Sequence, residues 1–221
     1  MNNSHKSGFF FSLEGLDNCG KSTQIKLLTD HLEKKGHAVL QVREPGGCVV
    51  SEKIREILLN KDHENMALNT ELLLYWAARA QLIFELISPA LETGRSVIAD
   101  RFGWSTFAYQ GYGRKMNLTD ISFLRELICG AIWPHHSFFL DISVNEMKKR
   151  TQSQRKRLDR IESQGDDFFS RIRKGYLSLA GEHREVFTVI DGCLPIETIQ
   201  KKIQDVVEGI IQGKNPIKNG F

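Results

Sequence analysis

The chain has 221 residues, of which 41% are hydrophobic and 26% are charged, and its formal net charge is +3. The length suits one large domain, and the composition is ordinary for a globular protein. So small a net charge gives no sign of a nucleic-acid partner, and the apolar runs are too short to span a membrane.

The four cysteines are widely spaced, at Cys19, Cys48, Cys129 and Cys193, and they form no C-x-x-C pair. They indicate reduced thiols and not a metal site. Because the N-terminus lacks the long apolar core of a signal peptide, we expect a cytoplasmic protein.

Five short runs rich in β-branched and aromatic residues predict strands. They span residues 9–14, 38–42, 96–100, 137–141 and 187–191. Several are apolar at consecutive positions, which is typical of strands that are covered on both faces.

Helical apolar spacing separates these strands. It predicts one helix that includes Ile25, a second over residues 68–87 that ends by Gly94, and a third over residues 196–210. Alternating strands and helices predict an α/β fold with three α/β/α layers around a five-stranded parallel sheet. The polar ends, residues 1–8 and 213–221, are expected to be flexible.

Residues 15–23 read GLDNCGKST and match the phosphate-binding pattern G-x-x-x-x-G-K-[ST]. A predicted strand precedes the motif and a predicted helix follows it, so a chance match in a turn is disfavoured. Glycines let the backbone close around phosphates, and the helix N-terminus attracts the anion. Lys21 is expected to reach the β- and γ-phosphates and Ser22 to hold Mg²⁺. The predicted nucleoside triphosphate contacts are Gly15, Leu16, Asp17, Asn18, Cys19, Gly20, Lys21, Ser22 and Thr23.

Two strand ends carry charged side chains, and parallel strands bring such ends to one edge of the sheet. Arg43 opens REPGG after the second strand, and Asp100 and Arg101 close the third. Asp100 is placed to hold Mg²⁺, and the arginines are placed to meet anions. Taken singly, Arg43 is better explained as a solvated turn residue, and a strand-end ion pair explains Asp100 with Arg101 about as well.

Tyr75 and Arg79 lie four residues apart and share one face of the long helix. A ring and a guanidinium on one face suit a nucleobase, although the pattern alone favours core packing beside a surface arginine.

Residues 148–169 are dense in basic side chains, which would close over a triphosphate as a mobile lid. A solvated helix face with pairs such as Arg155–Asp159 is the alternative. The candidate arginines are Arg150, Arg155, Arg157 and Arg160.

Together these stretches resemble the thymidylate kinases, of the nucleoside monophosphate kinase group of P-loop proteins. The likeness runs from about Phe9 to Ile211 and rests on EGLDNCGKST, REPGG, AARAQL, ADRF with STFAYQG, and LDRIE followed by DFFSRIRKGY. It implies one nucleoside monophosphate kinase domain over residues 9–212, with a small basic lid insert at about residues 150–165, called the lid segment below. It further implies ATP as donor, Mg²⁺, dTMP as acceptor in dTTP synthesis, and a homodimer.

The resemblance also implies the contacts on the acceptor side. Asp17 would contact the sugar 3′-hydroxyl and Arg43 the dTMP phosphate. Arg79 would read the thymine carbonyl, while the ring of Tyr75 stacks on the base. The remaining expected acceptor contacts are Arg101, Thr106, Tyr109 and Gln110.

Asn18 is neutral at a position where some members of the family carry a basic catalytic residue. The resemblance therefore points to the members that place the catalytic arginine in the lid segment. The predicted catalytic set is Lys21, Arg101, Arg155 and Arg157, with Arg150 and Arg160 as ATP contacts.

Cys48 and Tyr75 depart from the family's usual threonine and phenylalanine, and neither change is expected to abolish binding. Two alternatives stay open here: a kinase for another nucleoside monophosphate, and a nucleotide-binding switch without acceptor phosphorylation.

Overall fold

The computed structural model describes residues 8–153 and 158–213. Within them lies one parallel sheet in the order β2-β3-β1-β4-β5. The predicted α/β fold with five parallel strands is confirmed, and each strand boundary lies within one residue of the prediction. The strands are β1 (Phe10–Glu14), β2 (Val39–Arg43), β3 (Ser96–Asp100), β4 (His136–Asp141) and β5 (Phe187–Asp191).

The central strand β1 is buried along its whole length because helices cover both faces of the sheet. Phe11 lies opposite Ile98 of β3 and His136 of β4. The chain therefore leaves β1 toward β2 and β3 on one side, and later returns to β4 and β5 on the other. Such a switch point creates a crevice at the carboxyl ends of the strands, where α/β proteins bind ligands.

In the described residues, helices connect the strands and cover the sheet. They are α1 (Lys21–Lys34), α2 (Val49–Leu59), α3 (Leu68–Leu82), α4 (Ser88–Glu92), α5 (Gly103–Thr106), α6 (Leu118–Cys129), α7 (Val144–Ser153), α8 (Asp166–Glu182) and α9 (Ile196–Ile211). A 3₁₀ turn spans Lys61–His63, and π-helical segments span Ile83–Ile87 and Phe107–Gly113.

The helix predicted over residues 68–87 is a continuous helical run from Leu68 to Glu92, with the first π-helical segment joining α3 to α4. The apolar stripe near the C-terminus is α9, which buries Ile199, Ile203 and Val207. These three side chains lie in the core, as a stripe of helical spacing predicts.

The predicted flexible ends, residues 1–8 and 213–221, lie outside the described residues except for Gly8 and Gly213. The same holds for Arg155 and Arg157 of the lid segment. In the described ranges, no helix is long and apolar enough to cross a bilayer.

Candidate functional site

Residues 15–23, called the phosphate loop, comprise the connection from β1 and the first three residues of α1, at the switch point of the sheet. Gly15 and Gly20 have φ values of 141° and 105°, and a Cβ on Gly15 would lie 2.7 Å from the carbonyl oxygen of Leu140. Leu16 and Cys19 are buried and fix the loop to the core. The sequence therefore folds here into the tight glycine-dependent turn that a phosphate-binding backbone requires.

Lys21 and Ser22 begin α1 beside the carboxyl end of β3. Lys21 Nζ donates to the carbonyl oxygens of Leu16 at 3.0 Å and Gly15 at 3.4 Å. Ser22 Oγ donates to Asp100 Oδ2 at 3.2 Å. A hydroxyl beside a carboxylate fits Mg²⁺, which prefers oxygen ligands and completes its shell with water and substrate phosphates.

Arg101 lies across the phosphate loop. Its Nη2 donates to Asp17 Oδ1 at 2.6 Å, its Nη1 donates to the carbonyl oxygen of Gly15 at 2.6 Å, and its guanidinium lies 5.0 Å from the ring centre of Tyr109. Burial opposes its charge, but Tyr109 and Asp17 hold the pKa of Arg101 well above its ordinary value. The site thus keeps a fixed positive charge beside the phosphate loop.

Glu14, at the end of β1, is a site-forming residue that the sequence analysis did not single out. It is fully buried and accepts hydrogen bonds from the Phe102 N–H at 2.9 Å and from Ser105 Oγ at 2.6 Å. Burial raises its pKa to about 7, against the opposing effects of Ser105 and Arg101. The available signal was an acid at the end of a strand that is otherwise apolar except for Ser12. Its bond to Phe102 holds the backbone next to Arg101, whose φ is 68°.

A cavity of about 250 Å³, called the central cavity below, opens beside the phosphate loop. It brings together side chains from the stretches that the sequence analysis treated separately. The predicted site residues that line it are Asp17, Asn18, Lys21, Ser22, Arg43, Tyr75, Arg79, Asp100, Arg101, Thr106, Tyr109 and Gln110.

Arg79 is held rigidly in the wall of the central cavity. Its Nε donates to Glu44 Oε2 at 2.9 Å and its Nη1 donates to Thr106 Oγ1 at 3.0 Å. Its guanidinium also lies 4.4 Å from the ring centre of Trp76. Arg79 is 2% exposed, so it is not the surface arginine that the alternative interpretation required.

Arg43 lies at the mouth of the central cavity, where its Nη2 donates to both carboxylate oxygens of Glu52 at 2.9 Å. Glu52 also accepts the Gly47 N–H at 2.6 Å and so shapes the REPGG loop. Arg55, which the sequence analysis missed, lines the same cavity and donates to the carbonyl oxygen of Pro45 at 2.7 Å. Burial and the neighbouring Arg43 lower the pKa of Arg55. Two cations at one mouth suit an anionic group such as a phosphate.

Tyr75, Tyr109 and Gln110 also line the central cavity. Burial raises the pKa of Tyr75, so its hydroxyl stays neutral. The Tyr109 hydroxyl is buried and has no hydrogen-bond partner among the residues described here. These rings and polar groups make a wall suited to a nucleoside.

The described part of the lid segment places its two arginines differently. Arg150 Nη1 donates to the carbonyl oxygen of Asn18 at 3.3 Å, and its Nη2 donates to that of Gly192 at 3.2 Å. Arg150 therefore lies beside the phosphate loop, where an ATP contact is expected.

The position predicted for Arg160, in a mobile lid over ATP, is wrong. It is buried, its Nε donates to the carbonyl oxygen of Leu58 at 2.7 Å, and its Nη1 donates to Glu71 Oε2 at 2.6 Å. The carboxylate of Glu71, which local spacing does not reveal, draws this guanidinium into the protein. Arg160 is outside the lining of the central cavity.

Comparison with known proteins agrees with the geometry. Residues 13–203 match the family model described as Thymidylate kinase. The chain belongs to the thymidylate kinase family. The thymidylate kinase of Caldanaerobacter subterraneus subsp. tengcongensis is 43% identical over 207 residues, covering 93% of this chain and 98% of the relative. The thymidylate kinase of Fervidobacterium nodosum is 45% identical over 197 residues, covering 89% of this chain and 97% of the relative.

A solved thymidylate kinase also shares the fold. The crystal structure from Ehrlichia chaffeensis matches with a TM-score of 0.74 and 26% identity, covering 91% of this chain and 99% of that chain. The resemblance inferred from the motifs is thus confirmed at the level of the family and of the fold.

Proposed function

We propose that the central cavity is where this chain phosphorylates dTMP to dTDP with ATP as the phosphoryl donor. Membership of the thymidylate kinase family supports this reaction over a kinase for another nucleoside monophosphate or a switch. The observation that carries the assignment of the site is the lining of one cavity by Lys21 and Ser22 together with Tyr75 and Arg79.

On the donor side, the phosphate loop holds the ATP phosphates through its backbone and through Lys21 Nζ. Lys21 now rests on the carbonyl oxygens of Gly15 and Leu16, so a phosphate would replace those neutral acceptors with an anionic one. Arg150, between the phosphate loop and Gly192, contacts ATP from the lid side.

On the acceptor side, Arg43 and Arg55 hold the dTMP phosphate at the cavity mouth, and Arg43 exchanges its bond to Glu52 for that phosphate. Tyr75 stacks on the thymine, and Arg79 donates to a base carbonyl. We expect Asp17 and the Tyr109 hydroxyl to hold the sugar, since both residues line the central cavity and that hydroxyl has no hydrogen-bond partner among the described residues.

The chemistry needs no strong general base because the attacking phosphate oxygen of dTMP is largely ionised near neutral pH. Alignment and charge neutralisation supply the acceleration. Lys21, Arg101 and an arginine of the lid segment, Arg155 or Arg157, provide the positive charge. Mg²⁺, held by Ser22 and Asp100, would add further neutralisation of the phosphates when bound.

A coupled assay of ADP release tests this function. ADP is expected in the presence of ATP, Mg²⁺ and dTMP together, with label from γ-phosphate-labelled ATP recovered in dTDP. An equal rate of ADP release with and without dTMP would contradict dTMP as the acceptor.

We also propose a homodimer through the outer faces of α2, α3 and α6. α2 and α6 both pack against α3, and the three helices with the adjoining π-helical segment expose apolar side chains to solvent. Exposed apolar patches of this kind mark protein–protein contacts. The exposed side chains are Val49, Val50, Ile57, Leu73, Phe84, Phe123 and Leu127. Sedimentation should give a dimer for the natural chain and a monomer for Phe84→Glu, while a natural chain that sediments as a monomer would contradict the dimer.

A cytoplasmic location stays a prediction. The four cysteines are free thiols, three of them buried, which suits a reducing compartment. Fractionation of the cells that make the protein tests it.

A further inference from the structure

The helix α7 carries Arg150 to the phosphate loop, yet little apolar packing holds this helix in place. All ten of its residues are described, and Met147 is the one that is buried. Its ion pair to α8 joins Lys148 to Asp166, whose side chains are 48% and 59% exposed, and exposed pairs of this kind contribute little. Polar contacts near the C-terminal end of α7 are therefore important for its position.

Asn18, in the phosphate loop, meets α7 at two adjacent residues. Its side-chain Nδ2 donates to Thr151 Oγ1 at 2.8 Å, and its carbonyl oxygen accepts from Arg150 Nη1 at 3.3 Å. Thr151 Oγ1 in turn donates to the carbonyl oxygen of Met147 at 2.8 Å. Because that bond uses the single hydroxyl proton, Thr151 acts toward Asn18 as an acceptor, and the Asn18 amide turns its NH₂ group toward α7.

The backbone of Asn18 also restricts which residue can stand at this position. Its φ of 59° lies in the left-handed region, which asparagine tolerates better than most residues and glycine adopts freely. Glycine would hold the same backbone but present no donor to Thr151. Asparagine at position 18 therefore combines the conformation that the loop needs with a side-chain bond to α7.

The guanidinium of Arg150 depends on this junction for its place. It bridges the phosphate loop and the segment after β5, since Nη1 donates to the carbonyl oxygen of Asn18 and Nη2 to that of Gly192 at 3.2 Å. Nε donates to Glu146 Oε1 at 2.7 Å within the helix. Release of the neighbouring Thr151 from Asn18 would give Arg150 more freedom, and the cost of ordering it would then fall on the binding of ATP.

We propose that the Asn18 side chain is a positioning group for ATP, which fixes α7 on the phosphate loop through Thr151 and so keeps Arg150 on the donor side of the central cavity. This inference rests on the proposed function, which makes Arg150 an ATP contact. The Asn18 amide acts through α7 and serves the donor and not the acceptor.

The test measures the Kd of the full chain for ATP with Mg²⁺, and separately the Kd for dTMP, by equilibrium dialysis in Asn18→Gly, Thr151→Val and the double variant. Glycine keeps the positive φ and valine keeps the branched shape of threonine, so each change removes one partner of the bond. Loss of one hydrogen bond corresponds to about a two- to tenfold change in affinity.

The Kd for ATP is therefore expected to rise by about threefold or more in each single variant, with the Kd for dTMP unchanged. The double variant should show no further rise, because both changes remove the same bond. Thr151→Ser retains the hydroxyl and is the matched control, so it should bind ATP as the natural chain does.

A natural Kd for ATP in Thr151→Val would overturn the inference, as would a rise in the double variant equal to the product of the two single rises, because Asn18 would then act without Thr151. An equal loss of affinity for dTMP would also overturn it, since a general loosening of the fold affects both ligands. If Thr151→Val is not recovered folded, Thr151→Ala is scored in the same way. A natural chain that binds ATP but transfers no phosphoryl group to dTMP would instead refute the proposed function, while the ATP affinities still decide the role of Asn18.

Discussion

Glu44 and Arg79 form a buried ion pair in which Glu44 Oε2 accepts the Arg79 Nε at 2.9 Å, with side chains 5% and 2% exposed. The pair joins the loop after β2 to α3, and Thr106 holds the other edge of the guanidinium. Because hydrogen bonds on both edges restrict the planar fork, Arg79 presents its remaining N–H groups in one direction. A single ion pair thus links the stability of the fold to the shape of the cavity wall.

Glu44→Gln is expected to lower the free energy of unfolding by about 3 kcal/mol, since it leaves a buried guanidinium without its counter-charge. Urea unfolding measures this loss. Glu56→Gln is the matched control, because the exposed pair of Glu56 with Lys53 is expected to contribute less than about 1 kcal/mol. Equal stabilities for the two variants would show that the Glu44–Arg79 pair does not hold the cavity wall.

Lys21→Ala is expected to reduce kcat by a factor of about 10² or more, because it removes a preorganised positive charge from the phosphate-binding site. The fold should persist, since within residues 8–153 and 158–213 Lys21 Nζ bonds only to phosphate-loop groups such as the Leu16 carbonyl oxygen. Steady-state ADP release measures the loss of kcat, and thermal unfolding checks that the fold persists. Lys26→Ala, on an exposed position of the same helix, is the control. Near-normal turnover in Lys21→Ala would contradict the role given to the phosphate loop.

Glu14→Gln should change how stability depends on pH. The pKa of Glu14 is about 7 in the folded chain against an ordinary 4.5, so the folded state holds the extra proton between these values. Ionisation of this group therefore lowers the free energy of unfolding as pH rises through that window. The variant cannot ionise, and its stability relative to the natural chain should rise by about 3 kcal/mol from pH 4.5 to pH 8.

Urea unfolding at several pH values measures that difference. Glu33→Gln makes the same chemical change at an exposed position of α1 and is the matched control. A constant difference for Glu14→Gln as well would mean that Glu14 does not titrate in this window.

Arg155→Ala and Arg157→Ala, made separately, test the lid segment. One of them is expected to lower kcat by about 10² or more with little change in the KM for dTMP, because it removes charge that acts on the transferring phosphoryl group. Lys149→Ala, an exposed cation on α7, is the control. Natural turnover in both variants, and in the double variant, would place the catalytic charge elsewhere.

The elements with strong periodicity or a complete motif could be predicted from the sequence. The strands and the phosphate loop could be predicted because their signals, apolar runs and glycine spacing, lie within a few consecutive residues. Tyr75 and Arg79 could be named as candidates, although the pattern alone favoured core packing, and both line the central cavity.

The missed features depend on pairs that are distant in sequence. Glu44 meets Arg79 across 35 residues, and Glu71 meets Arg160 across 89. No spacing rule in the sequence shows that the Arg160 guanidinium pairs with a buried carboxylate and is therefore not on the surface of the lid segment. Glu14 was missed for a related reason, because its partners Phe102 and Ser105 come from the segment after β3, 88 and 91 residues further along the chain.

The central claim is that the cavity selects dTMP as the acceptor, and its most direct test is kcat/KM for ADP release across dTMP, dUMP, UMP, CMP and AMP at fixed ATP and Mg²⁺. Arg79 and Tyr75 suit a thymine-type base, so dTMP should give the highest value, with CMP and AMP lowest. Equal or higher kcat/KM with any other acceptor of the panel would contradict the account.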